Sequence, residues 1–128
     1  MSRLPLPTEA EVAILGVLWR RGPCTVRQVL EQMEPGTGYT TVLKLMQIMT
    51  EKHLVVRDEA ARSHVYKAAV PQAQTLRWLA GHLLDRAFDG SAKKLLVAAL
   101  SARPASAADL AQMRRLIRQA RPGPGNKS

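Results

Sequence analysis

Thr25-Val26-Arg27-Gln28-Val29-Leu30-Glu31-Gln32-Met33-Glu34-Pro35-Gly36-Thr37-Gly38-Tyr39-Thr40-Thr41-Val42-Leu43-Lys44 is the stretch on which the fold turns. Val26, Val29, Leu30 and Met33 are spaced i, i+3, i+4, i+7, one face of a helix, which predicts a helix over 26–33. Glu34-Pro35-Gly36-Thr37-Gly38 holds three breakers in five residues and reads as a turn. A second helical run follows over 39–52, with Val42, Leu45, Met46 and Met49 on one side and Thr40, Thr41, Lys44, Gln47 and Glu51 on the other. Two helices joined by a tight turn form a candidate helix-turn-helix. In that motif the second helix lies in the DNA major groove and its N-terminal residues meet base edges.

On the N-terminal side, Thr8-Glu9-Ala10-Glu11 has the form of a capping box. Val12, Leu15, Leu18 and Trp19 continue it as a helix over 8–21, stopped by Gly22-Pro23. Cys24-Thr25-Val26 is short and β-leaning, and Thr25 can cap the helix after it. On the other side, residues 54–58 and 63–67 read as two strands around a turn at Glu59-Ala60-Ala61-Arg62. Beyond Pro71 the pattern is wholly helical, in three pieces separated at Asp89-Gly90 and Pro104, with Ser91 and Ser106 placed to cap the later two. The predicted fold is mostly α with a small β-hairpin: a winged helix-turn-helix over 1–69, a three-helix region over 70–120, and a tail over 121–128 of disordered composition.

Composition sets limits. Aromatics are only 4% of the chain, so the core must come from aliphatic residues and methionine, which suits helices. The net charge is +9, a balance that fits a polyanionic partner. Through Ala68, nine Lys and Arg face seven Asp and Glu; from Ala69 onward, ten face three. Most of the excess therefore lies outside the helix-turn-helix. Cys24 is the single cysteine, which excludes an internal disulfide and a multi-cysteine metal site; it reads as a small buried hydrophobe. His53, His64 and His82 show no ligand spacing, so neither metal nor cofactor is expected. No nucleophile elbow, phosphate loop or paired carboxylates stand out, so neither an enzyme nor a small-molecule substrate is expected. Residues 1–5 carry no signal-peptide pattern and no apolar run is long enough to span a bilayer, so the expected compartment is the cytoplasm.

The candidate DNA-facing set is Thr25 and Arg27 at the start of the second helix, Tyr39, Thr40, Thr41 and Lys44 at the start of the third, and Arg57, Arg62 and Lys67 on the hairpin. Threonine offers a hydroxyl and a methyl group to bases; lysine donates to guanine or to phosphate. Free N–H groups at the helix start favour a phosphate, and an arginine at a wing tip suits a narrow minor groove. The competing reading is a solvated outer helix face and a hairpin tip charged for solubility. In the C-terminal helices, Leu76, Trp78, Leu79, Leu83, Leu84 and Phe88, then Leu95, Leu96 and Leu100, then Met113, Leu116 and Ile117, recur at helical spacing. Short helices have little to bury against within one chain, so these residues read as core and dimer interface, with a ligand-pocket wall as the alternative for Trp78, Leu79, Leu83, Leu84 and Phe88. The basic face of Arg114, Arg115, Arg118 and Arg121 reads either as a contact to DNA flanks or as a solvated face near a helix C-terminus.

These pieces together resemble the BlaI/MecI penicillinase-repressor family of bacterial transcriptional regulators. The resemblance rests on Pro7-Thr8-Glu9-Ala10-Glu11 with Val17-Leu18-Trp19, on Thr25-Val26-Arg27-Gln28-Val29, on Gly38-Tyr39-Thr40-Thr41-Val42-Leu43-Lys44, on Arg62-Ser63-His64-Val65-Tyr66 and on Phe88-Asp89-Gly90-Ser91. It implies a homodimeric repressor on a dyad-symmetric operator ahead of β-lactamase or related genes. It further implies relief by proteolysis in the dimerisation region, triggered by a membrane sensor metalloprotease. The cleavage position corresponds to Ala98-Ala99, where the best-known members have Asn-Phe. Ala61 stands where a wing glycine is common, Ala68 where proline is, and His53 where glycine usually follows the recognition helix, a site that often needs positive φ. Two other readings stay open: a winged-helix regulator relieved by a small ligand, and a winged-helix protein-interaction module that does not bind DNA.

Overall fold

The computed structural model describes residues 6–60 and 62–123. The readings made at residues 1–5, at Ala61 and at the last five residues of the tail lie outside them. The elements run α1 (Glu9–Arg21), α2 (Val26–Leu30), α3 (Tyr39–Glu51), β1 (Val55–Asp58), β2 (Val65–Ala68), α4 (Gln72–Ala87), α5 (Ala92–Ala102) and α6 (Ala107–Gln119). They form two compact units, the first ending at Trp78 and the second beginning at Leu79, so the division falls inside α4.

The first unit starts with the predicted capping box: Glu11 N–H donates to the Thr8 hydroxyl at 3.3 Å and Thr8 N–H to the Glu11 carboxylate at 2.8 Å. Ile14, Leu15, Val17 and Leu18 of α1 are buried against Val26 and Val29 of α2 and Val42, Met46 and Met49 of α3. The two strands are antiparallel, with Val55 opposite Ala68 and Arg57 opposite Tyr66. Cys24 adds a one-residue bridge on the far side of β2, exchanging N–H to carbonyl bonds with Tyr66 at 2.9 and 2.7 Å. It is buried, as its β-leaning context predicts. Tyr66 thus closes the core from the sheet side. Beyond β2, the Trp19 indole donates to the Val70 carbonyl at 3.0 Å, and the buried Thr75 hydroxyl donates to the Pro71 carbonyl at 2.8 Å. These contacts carry the first unit past the hairpin into the start of α4.

Several expected boundaries shift by a few residues. The second helix ends at Leu30 and not at Met33, because Gln32 and Met33 donate to carbonyls three residues back and tighten the chain into a turn. Pro35 then disfavours helical backbone at Glu34. β1 begins one residue late, at Val55, since Leu54 N–H still reaches the Met49 carbonyl at the end of α3. β2 starts at Val65, leaving Ser63 and His64 in the connection. His53 takes φ 65°, the left-handed conformation its position calls for.

The second unit contains the rest of α4, α5 and α6. Ser91 and Ser106 cap α5 and α6, each hydroxyl accepting a backbone N–H at 3.1 Å. Asp89 and Gly90, at φ 52° and 75°, make the turn between α4 and α5. Among the described residues of this unit only Ser91 is fully buried; every apolar side chain keeps some exposure.

Candidate nucleic-acid interface

The site is built on the start of α3. Burial of Val42, Met46 and Met49 fixes the rotation of the helix, and at 100° per residue this turns Thr40, Lys44 and Gln47 to the opposite side. Thr40, Thr41 and Lys44 are all exposed, as is Tyr39. The N-cap is Gly38, which offers no side-chain oxygen, so the first N–H groups of α3 have no cap acceptor. The helices α1, α2, α5 and α6 all begin with a hydroxyl accepting such a bond. The contrast leaves α3 with donors and a positive dipole end aimed outward, the arrangement that binds a phosphate.

Arg27 of α2 lies over the Tyr39 ring, 5.3 Å from its centroid. This cation–π contact holds both side chains at the mouth of a shallow groove. Thr25, Val26, Arg27, Tyr39, Leu43, Ser63, His64 and Tyr66 line it, so it joins α2, α3 and the approach to β2. Thr25 is half-buried, and its oxygen is occupied by the Gln28 N–H at 3.2 Å in a second capping box. Its contribution here is first to set the angle of α2, with only the hydroxyl proton left to donate outward. Ser63 and His64 are exposed in the same groove and were absent from the sequence-derived set. Their alternation with Val65 made them look like strand; only the folded hairpin brings them beside Arg27 and Tyr39.

The hairpin cations do not form one patch. Arg57 opposes Tyr66, and Lys67 opposes Val56, so the two side chains start from opposite faces of the ribbon. The Arg57 Nε donates to Glu59 at 2.9 Å, and the Glu59 carboxylate, with the Tyr66 phenol, raises the arginine's pKa further. Arg57 is thus engaged with its own neighbours. Arg62 and Lys67 are exposed and make no ion pair among the described residues.

Behind the site, Lys52 caps α3 and reaches α1. Its ammonium donates to both Glu11 carboxylate oxygens, at 2.8 and 3.0 Å. Glu11 is only 2% exposed. Burial alone raises its pKa, but the Lys52 ammonium and the Thr8 N–H and hydroxyl outweigh that and hold the carboxyl below its ordinary value. No buried side-chain polar atom among the described residues lacks a partner.

Along α4 and α6, Leu76, Leu83, Leu116 and Ile117 are between 44% and 60% exposed. Trp78, Leu79, Leu84, Phe88, Leu95, Leu96, Leu100 and Met113 are half-buried. Ala98 and Ala99 are exposed in the body of α5. Among the described residues, no group of His, Cys, Asp and Glu could hold a metal ion and no helix is long and apolar enough to cross a membrane.

Residues 7–119 match the penicillinase repressor family. The chain is also 31% identical over 131 aligned positions to proteins called Transcriptional regulator BlaI from two strains of Mycobacterium tuberculosis, covering 99% of this chain and 94% of those relatives.

Proposed function

The chain belongs to the penicillinase repressor family, and from that premise we propose that it represses transcription as a homodimer on a dyad-symmetric operator. The observation that carries the reading is the start of α3, uncapped at Gly38 and presenting Tyr39, Thr40, Thr41 and Lys44 to solvent beside Arg27. In the proposed complex this end enters the major groove. Thr40, Thr41 and Lys44 meet base edges, Arg27 and Tyr39 hold the sugar–phosphate chain, and His64 and Arg62 follow the backbone toward the minor groove. The exposed apolar residues of α4 and α6 support a second copy as the partner that covers them.

A repressor of this kind acts in the cytoplasm. Relief by a sensor metalloprotease requires access to the Ala98–Ala99 bond, which lies within a helix. A protease takes its substrate extended, so α5 must open locally before cleavage. The regulated genes follow from the same reading: β-lactam-resistance or related genes.

The test is fluorescence anisotropy of purified protein on the duplex upstream of its own gene, with scrambled competitor. Binding that survives competitor and saturates at two subunits per site supports the reading. Equal binding to both sequences rejects it and favours a protein-interaction role; operator release by a small molecule, with the chain intact, assigns ligand sensing.

A further inference from the structure

Most of the chain's positive charge lies away from α3. Over residues 79–123 there are eight Lys and Arg against three Asp. On α6, Arg114 and Arg118 are one helical turn apart and Arg115 is next in sequence, so the three share a face. All three are exposed, and none makes an ion pair among the described residues. The helix's acid, Asp109, sits in its first turn.

Two structural explanations account for part of this. The helix dipole favours a cation in the last turn, but of the three only Arg118 is there. Solubility is served by charge of either sign or by lysine, yet this face is all arginine. Arginine's planar fork, with its five donors, matches a phosphate bidentately. At 100° per residue the apolar stripe of Leu110, Met113 and Ile117 centres about 110° round the helix from the three arginines; Arg114 borders it, and Arg115 and Arg118 turn away from a second copy that covers it. A membrane surface fits less well, because an interfacial helix inserts its whole apolar stripe and Leu110 and Met113 are already half-buried within the unit.

We propose that the Arg114–Arg115–Arg118 face of α6 is a second, sequence-independent docking surface for the phosphate backbone of nucleic acid, separate from the reading helix. It rests on the reading that the chain works on DNA, and the two ideas fail separately. The reading helix discriminates sequences; this face adds affinity on every sequence.

The test compares the full-length chain with its Arg114→Gln/Arg115→Gln/Arg118→Gln variant on a random-sequence duplex, as affinity against salt concentration. Each lost phosphate contact lowers the slope of log affinity against log salt by about 0.9, so three lower it by about 2–3 per subunit. Affinity for random DNA should fall at least about tenfold at low salt, with the ratio of upstream to scrambled sequence unchanged. The Arg→Lys triple variant keeps the helix and the charge and should retain most of the salt slope. An unchanged slope in the glutamine variant, with far-ultraviolet circular dichroism intact, overturns the proposal. So does wild-type binding to phosphatidylglycerol vesicles that the glutamine variant loses while its DNA slope is unaltered. Failure of the wild type to discriminate sequences sinks the operator reading alone.

Discussion

Glu11 serves the first unit twice. It completes the cap of α1, and its carboxylate takes the Lys52 ammonium from the end of α3. The cap was legible in the sequence because it joins residues three apart. The ion pair spans 41 residues and depends on how α1 and α3 pack, which no local pattern encodes. Lys52→Met should strand a buried carboxylate and cost about 2 kcal/mol, less than a fully buried pair because Lys52 stays 24% exposed and water screens it. Urea denaturation of both proteins checks this. The folded Glu11 pKa is lowered, so its stabilisation is fully present above the ordinary carboxylate value of about 4.3 and is lost as pH falls through the folded value. The stability gap between wild type and Glu11→Gln should therefore be constant from neutral pH to about 5 and close below about 4. His53 makes the opposite case. Its φ of 65° suits glycine, so His53→Gly should stabilise by about 0.5–1 kcal/mol and His53→Val should destabilise, read as a change in melting temperature.

Elements follow the same division between local and distant causes. The outward placement of Thr40, Thr41 and Lys44 follows from the period of Val42, Met46 and Met49, so it was readable from the sequence. The end of α2 was overrun by three residues, because Met33 continues the apolar spacing while its backbone has already turned. Apolar period reports which side chains face the core, and Met33 does pack there, but it does not report the hydrogen bonds that define a helix. The pairing of Arg57 with Glu59 is local, two residues apart, whereas the placing of His64 in one groove with Arg27 needed the folded hairpin. The bare cap of α3 gives the sharpest prediction at this scale. Gly38 has an extended φ of −90° and open space where a side chain would go. Gly38→Asp should stabilise the protein by a few tenths of a kcal/mol through capping. It should also weaken DNA binding at least about tenfold, because the carboxylate displaces and repels the phosphate. Stability and affinity moving together would refute the proposed role for that helix end. Thr40→Ala and Lys44→Ala should each cost about 1–3 kcal/mol of binding and relax the preference at one operator position.

At the scale of the whole molecule, the two units differ in what they bury. The first has a closed core that runs from Ile14 to Val70, fourteen buried apolar residues among those described. The second has the rest of α4 and two serine-capped helices, α5 and α6, with no fully buried apolar side chain among the described residues. The sequence showed three helices and the caps of the later two, because serine, glycine and proline mark the boundaries locally. It could not show how far the first unit extends into α4, which depends on the Trp19 indole and Thr75. If a second copy covers the apolar residues of the second unit, Leu116→Glu/Ile117→Glu should convert the dimer to monomer in sedimentation and lower operator affinity at least about tenfold. The first unit should keep its fold, because neither residue belongs to its core.

The central claim is that two copies of α3 read two related half-sites. Hydroxyl-radical footprinting of the full-length protein on the duplex upstream of its own gene tests it most directly. The account predicts two protected segments related by a dyad, their centres about one helical turn (roughly 34–36 Å) or a multiple of it apart. Both should weaken together in Lys44→Ala and in the Leu116→Glu/Ile117→Glu double variant. A single protected segment, or uniform protection without symmetry, would contradict it.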